Sequence, residues 1–292
     1  MTSKESYVEV RGARVRVHES GDPAHPPVLL LHGIGRSLED WEPQQERFAG
    51  DHRVISVDMP GFGLSQRLPE PTTLRLLAEG VLATLDVLGE HRAVHVMGNS
   101  LGGAVTMQLS ASAPDRVATL TLVNSAGFGK EVTIVLRLLT VPGLGARLLG
   151  AADRSAMRRS ERALFFDGSF VTEERIDHAL RVAQQPESAA VFLEVARALG
   201  TFRGVSARWR SDLLTEVARH PKPTLIVWGD RDLILPAHHV RAARAALPHA
   251  QSHVFADTGH MPQVERADEF ATLARGFLLH RHGRVGLRPG AR

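Results

Sequence analysis

The stretch Val94-His95-Val96-Met97-Gly98-Asn99-Ser100-Leu101-Gly102-Gly103 reads as an apolar strand, a one-residue corner at Ser100, and a helix that continues through Ala104-Val105-Thr106-Met107. Gly98-Asn99-Ser100-Leu101-Gly102 fits G-x-S-x-G, the pattern of a nucleophile elbow. A serine hydroxyl is a weak nucleophile unless it projects alone where a base can reach it. A tight strand-to-helix corner presents it that way, in strained backbone. A side chain at Gly98 or Gly102 would crowd the chain as it doubles back. The helix starts beneath the serine, so its free N–H groups and positive end face a developing oxyanion. The five-residue pattern alone occurs by chance in glycine-rich loops; the strand before it and the helix after it make it specific.

Upstream of the elbow, Tyr7-Val8-Glu9-Val10 and Arg14-Val15-Arg16-Val17-His18 alternate apolar and polar residues around Arg11-Gly12-Ala13, which predicts a β-hairpin with one solvated face. Pro27-Val28-Leu29-Leu30-Leu31 is a continuous apolar run, as expected for a strand buried on both faces. It ends in His32-Gly33-Ile34-Gly35, before a helix near Trp41 to Phe48. Val54-Ile55-Ser56-Val57-Asp58 is the next strand, closed by Met59-Pro60-Gly61-Phe62-Gly63. Apolar residues at helical spacing run from Leu74 to Leu88, with a stop at Gly89. Downstream, Val117 to Val123 is another buried strand, and repeated strand–helix units imply a largely parallel sheet. From Ala126 to Ala218 the pattern is helical, rich in Leu, Ala and Arg, with no clear strand. Pro223 to Trp228 restores the strand pattern, followed by a helix from Ala237 to Leu247, a strand Ser252 to Phe255 and a last helix from Glu265 to Leu279. Residues 1–125 and 219–280 therefore read as one α/β core domain, 126–218 as an all-helical cap inserted before the last two strands, and 281–292 as a disordered tail.

Composition narrows the function. The 292 residues are 43% hydrophobic and 23% charged, ordinary for a globular protein, and enough for one large domain with an insertion. The pI of about 9.9 accompanies a net charge of only +3, and no basic stripe is interleaved with aromatics, so nucleic acid is not an expected partner. There is no cysteine, hence no disulfide, thiolate metal site or Cys nucleophile. Met1 to Ser6 has no apolar signal core, and no apolar run is long enough to span a bilayer, so the expectation is a cytoplasmic protein without stable membrane insertion.

The chemistry-bearing residues fall at the C-terminal ends of the strands, where open α/β sheets bind ligands: His32-Gly33, Asp58, Ser100 and Gly229-Asp230-Arg231-Asp232. A serine nucleophile needs a base held by an acid. His260 follows the last strand in Asp257-Thr258-Gly259-His260-Met261-Pro262, and Asp232 follows the strand ending at Trp228. Ser100, Asp232, His260 is the Ser…Asp…His order of one hydrolase fold.

On these motifs the chain resembles the α/β-hydrolase superfamily over nearly its full length. The matching pieces are His32-Gly33, Asp58-Met59-Pro60-Gly61-Phe62-Gly63-Leu64-Ser65, the elbow, Trp228-Gly229-Asp230-Arg231-Asp232 and Gly259-His260. The resemblance implies an α/β fold with a mostly parallel eight-stranded sheet, helices on both faces and a helical cap. It implies Ser100 as nucleophile, His260 as the base that later returns the proton, Asp232 as the acid that orients it, and the backbone N–H groups of Ile34 and Leu101 as oxyanion hole. The family's Gly-x-x-Asp pattern selects Asp232 over Asp230, which becomes a loop cap; the alternative acid position is Asn124, which is no carboxylate. Asp58 is expected to anchor its own turn and the neighbouring loop, and His32 to support the oxyanion loop. His238-His239, at a helix start, and His280 and His282 come with no carboxylate set in sequence, so no metal is expected, and no organic cofactor is needed.

The run Val132 to Val141 is strongly apolar, and either packs on the core, contacts a second copy in a homodimer, or lines a pocket for an apolar acyl or aryl group. Leu164-Phe165-Phe166-Asp167, Val171-Thr172-Glu173-Glu174, Gln185-Pro186-Glu187, Asn99 and Ala267-Asp268-Glu269-Phe270 are similar to the carbon–carbon bond hydrolases that cleave aromatic ring-fission products. Three positions depart from that group. Gly35-Arg36-Ser37 replaces its Gly-Pro-Gly-Ala segment, Met261 its Trp, and Ala179 its carboxylate-binding arginine, for which Arg175 or Arg181 would have to substitute. The expectation is therefore a capped serine carboxylesterase acting on a small-molecule apolar ester, with Asn99 and Met261 as candidate substrate contacts. The same-class alternative is a hydrolase of vinylogous diketone acids; a non-catalytic ligand receptor on the same fold is the alternative of another class.

Overall fold

The computed structural model describes residues 3–150 and 152–282. Its strands in chain order are β1 (Ser3–Val10), β2 (Ala13–Ser20), β3 (Pro27–Leu31), β4 (Arg53–Val57), β5 (Val94–Asn99), β6 (Val117–Val123), β7 (Gly200–Thr201), β8 (Gly204–Val205), β9 (Thr224–Gly229) and β10 (Gln251–Phe255). Eight of them form one sheet in the order β1-β2-β4-β3-β5-β6-β9-β10. β1–β2 and β2–β4 are antiparallel, and every later pairing is parallel. In the β1–β2 hairpin Val10 faces Ala13, leaving the two-residue turn Arg11-Gly12. Both turn residues have positive φ, 51° and 81°, the handedness that matches strand twist in a tight hairpin.

The buried strands supply two core layers from alternate residues. Leu29 and Leu31 of β3 face one cluster with Ile55, Val57, Val96 and the helix Leu74–Val87. Val28 and Leu30 face the other, with Trp41, Phe48, Met97, Val227 and Phe270. Each such fully buried side chain contributes about 1.5–3 kcal/mol relative to exposure, which is why a run with no polar residue sits stably between two helix layers. The helix Leu74–Val87 starts where the Thr73 hydroxyl accepts the Leu76 N–H at 3.1 Å, and ends before Gly89 at φ 68°.

The segment between β6 and β9 carries the helices Ile134–Leu139, Leu144–Gly150, Arg154–Leu164, Glu173–Ala183, Ser188–Leu199 and Ala207–Arg219. It is not wholly helical, as the sequence suggested: β7 and β8 form a short antiparallel ladder around Phe202-Arg203. Two-residue strands carry no periodicity to read. The last helix of the segment puts Leu213 and Val217 into the main core cluster, so by 218 the chain has already rejoined the core layer. The final helix, Ala267–His282, runs past the expected start of the tail, and residues 283–292 lie outside the described residues. No helix among the described residues is long and apolar enough to cross a membrane.

Candidate active site

Ser100 stands at the end of β5 and the start of the helix Leu101–Ser112, at φ 55° and ψ −114°. A non-glycine residue held there stores backbone strain, of order 1–3 kcal/mol, that the surroundings must over-determine. They do so from β6 and the turn after it: Ser100 N donates to Val123 O at 2.9 Å, and Ala126 N donates to Ser100 O at 3.0 Å. The two elbow glycines are needed for space. A Cβ at Gly98 would lie 2.2 Å from the Gly102 carbonyl oxygen, and one at Gly102 would lie 2.3 Å from that of Leu31.

His260 and Asp232 meet although they lie 28 positions apart in the chain: His260 Nδ1 donates to Asp232 Oδ2 at 2.7 Å, with both side chains buried. The carboxylate is held on all sides. Its Oδ1 accepts the N–H groups of Ile234 (2.7 Å) and Leu235 (3.0 Å), and Oδ2 also accepts Asn124 Nδ2 at 2.6 Å. Asn124 thus occupies the alternative acid position as a donor to the acid. Asp230 accepts Thr258 N at 3.3 Å, a loop contact outside this cluster.

His32 and Asp58 brace the loop after β3. His32 Nδ1 donates to Gly33 O at 2.7 Å, and its Nε2 accepts Met59 N at 3.0 Å. Burial drives its pKa below the ordinary value of 6.5, against the pull of Asp58, so the ring is neutral and one nitrogen is left to accept. Asp58 accepts Leu38 N, Leu64 N and Arg16 Nε, each at 2.7 Å. Gly33 lies against the elbow, since a Cβ on it would be 3.4 Å from Ser100 Cβ.

A cavity of about 590 Å³, counting its mouth, opens at Ser100 and is lined by Ile34 and Leu101 together with Val132, Leu136, Leu199, Val205, Trp209 and Ile234. The expected oxyanion residues, the serine and the apolar cap run therefore share one space. Of that run, Val132, Leu136 and Thr140 recur at a spacing of four and face the cavity, whereas Ile134 and Val135 are exposed. Arg137 is the one charged residue among the described residues that line it; its Nε donates to Phe202 O at 2.8 Å.

Two expected substrate contacts lie elsewhere. Asn99 is buried, and its Nδ2 donates to His260 O at 3.0 Å and to Val123 O at 3.3 Å, so it positions the histidine loop. Met261 is buried with Leu164, Phe165 and Val264 between the cap and the helix Pro262–Glu265. Neither is among the residues lining the cavity. Asn99 and Met261 adjoin Ser100 and His260 in the chain, but their side chains are engaged away from the cavity wall.

The cap is tied to the site by charge. Arg36, just beyond Ile34, pairs with Asp40 at 2.7 Å and with Glu161 of the cap helix Arg154–Leu164. Arg175 of the helix Glu173–Ala183 closes the quartet on Asp40 (2.9 Å) and Glu161 (3.0 Å), and lies over the Phe165 ring. Burial alone would oppose the charge on Asp40, but Arg36 and Arg175 outweigh it and hold the carboxyl well below the usual range. Arg181 contacts His178 Nδ1 at 3.2 Å. Neither Arg175 nor Arg181 is among the residues lining the cavity. The structure also changes the position of His238 and His239, beside which it brings the carboxylate of Glu131.

Comparison with known proteins agrees with this geometry. The sequence profile of the alpha/beta hydrolase fold matches residues 26–267. The chain is 34% identical over 273 residues to the dihydrolipoyllysine-residue acetyltransferase component of the acetoin cleaving system of Pseudomonas putida, covering 92% of this chain and 68% of that protein. It is 30% identical over 277 residues to the 2-hydroxymuconate semialdehyde hydrolase of Pseudomonas sp. (strain CF600), covering 91% of each. Its fold superposes on a meta-cleavage product hydrolase from Pseudomonas fluorescens IP01 with a TM-score of 0.79, at 24% identity over 94% of this chain and 98% of that one. With the elbow, the sheet order and the profile in agreement, the chain belongs to the α/β-hydrolase family.

Proposed function

We propose that this hydrolase is a serine carboxylesterase for esters with an apolar acyl or aryl group. The observation that carries the reading is the cavity at Ser100, walled by aliphatic side chains and Trp209. In this mechanism the Ser100 hydroxyl attacks the ester carbonyl and passes its proton to His260 Nε2. The Nδ1–H of His260 stays on Asp232 Oδ2, where the carboxylate stabilises the imidazolium without taking its proton. The N–H groups of Ile34 and Leu101 receive the oxyanion; one such donor is worth about 10²–10³ in rate. The imidazolium protonates the leaving alcohol. A water deprotonated by the same ring then cleaves the acyl-enzyme and restores the serine.

The test compares wild type with Ser100→Ala on p-nitrophenyl esters of rising chain length, with fluorophosphonate labelling of Ser100 in parallel. Turnover lost in Ser100→Ala supports the esterase. Folded protein that neither turns over esters nor takes the label overturns it and leaves the non-catalytic receptor.

A second reading is carbon–carbon bond hydrolysis of an acidic ring-fission product. The name of the Pseudomonas sp. relative favours it, and so does Arg137 in the cavity wall, a cation that a substrate carboxylate could meet. A ring-fission dienoate assayed beside the esters separates the two.

A further inference from the structure

We propose that Glu131, His238 and His239 form a binding site for one divalent transition-metal ion, with Zn²⁺ the cation that the ligand set fits best. The three residues offer one carboxylate oxygen and two imidazole nitrogens, all within 4.8 Å of one another. Glu131 Oε2 lies 3.2 Å from His239 Nε2 and 3.5 Å from His238 Nε2. Ligands about 2.0–2.1 Å from a tetrahedral Zn²⁺ are about 3.3 Å apart along each edge, so both distances lie near that value, and the edge between the two histidines lies within 4.8 Å. The set is mixed N/O, which suits Zn²⁺ and its neighbours rather than Ca²⁺ or Mg²⁺.

The local chain is shaped for this convergence. A Cβ at Gly129 would sit 2.1 Å from His239 Nε2, so a side chain there would push the ring from its place beside Glu131. His238 and Glu131 are 64% and 41% exposed, which leaves an entry path and room for solvent as a fourth ligand. His239 Nδ1 is buried without a hydrogen-bond partner among the described residues. Lacking that outer support, typically worth about 10–100-fold in affinity, the site should exchange its metal rather than lock it.

The ion would tie two segments that meet at the substrate cavity. Glu131 leads into the cap helix Ile134–Leu139, and the histidines open the helix His239–Ala246. Between them Thr133 N donates to Ile234 O at 3.0 Å, beside the loop that holds Asp232.

The experiment titrates untagged, metal-free full-length protein with Co²⁺ and with Zn²⁺. Visible absorption of bound Co²⁺ and the Zn²⁺-induced rise in melting temperature are read for wild type, Glu131→Gln, His238→Ala and the remote control His91→Ala. The expected result is one equivalent of Co²⁺ with the intense absorption of a four-coordinate site. Affinity should fall at least about tenfold in Glu131→Gln and His238→Ala but not in His91→Ala. No binding by wild type, a weak six-coordinate spectrum, or equal binding in all four proteins overturns the proposal. Both tested side chains are partly exposed, and circular dichroism checks that the variants fold.

Discussion

The backbone N–H of His260 donates to the carbonyl oxygen of Leu164 at 2.7 Å, so the loop that carries the imidazole is held by the end of a cap helix. The cap therefore does more than roof the cavity: it fixes one edge of the histidine loop, while Asn99 fixes the same residue's carbonyl from the core side. Gly259 is what lets the two approach, because a Cβ there would lie 2.5 Å from Leu164 O and 2.8 Å from Phe166 N. Gly259→Ala should push cap and loop apart. A displacement near 1 Å at a reacting group costs about 10²-fold, so fluorophosphonate labelling of Ser100 should slow by that order while the variant remains folded. Labelling at the wild-type rate would show that the loop tolerates the shift.

Asp232→Asn tests the acid. The carboxylate accepts from His260, Asn124, Ile234 and Leu235, and an amide at 232 would turn donors toward some of them. The expected loss in kcat is about 10⁴-fold, as for the equivalent change in a Ser-His-Asp triad where geometry survives and the tautomer does not. Steady-state ester hydrolysis reads it directly. Asp230→Asn, outside this cluster, should leave kcat within about twofold of wild type.

The cap-to-core quartet predicts a linked loss of stability and rate. Asp40→Asn leaves Arg36 and Arg175 facing one another with only Glu161 between them. Breaking a buried pair by removing one partner costs about 3–5 kcal/mol, to be measured by urea denaturation. Because Arg36 follows the oxyanion loop so closely, kcat should fall while KM for a short ester changes little. Loss of stability with kcat intact would make the quartet purely structural.

His32 gives a pH dependence with a fixed sign. Its pKa is lowered in the folded state by burial, so below the unfolded value of 6.5 the unfolded chain takes up a proton that the native state refuses. Stability is then fully present above that value and declines as pH falls from it toward the folded pKa, by up to about 1.4 kcal/mol per pH unit. His32→Gln, whose amide can still donate and accept, should lose less stability than wild type between about pH 7.5 and 5.5, above the range where unfolded carboxylates titrate. Parallel curves for the two proteins would remove His32 as the cause.

The cavity wall sets the expected chain-length optimum. Leu136→Trp adds volume to the cavity that opens at Ser100, on the helical face shared with Val132 and Thr140. The preferred acyl chain should shorten, with KM for long esters rising about 10-fold or more and the shortest ester unaffected, since each lost methylene contact is worth roughly 1–3 kcal/mol. An unchanged optimum would place the acyl group elsewhere.

Much of this was legible in the chain itself, because the signals are local. An unbroken apolar run such as Val28 to Leu31, bounded by Pro27 and His32-Gly33, reads as a strand covered on both faces, and its residues are fully buried. The glycines around Ser100, between an apolar strand and a helix, read as a corner too tight for side chains. These fix the sheet, the elbow and the order of Ser100, Asp232 and His260 along its edge. What needed the tertiary structure was side-chain direction and long-range convergence. Asn99 turns to a backbone carbonyl rather than to the cavity, Arg175 is consumed by Asp40 and Glu161, and Glu131 reaches histidines 107 and 108 positions away. Hydrophobic periodicity reports which face of an element is buried. It carries no information about which polar group from a distant element arrives there, since that depends on how the cap is seated on the sheet.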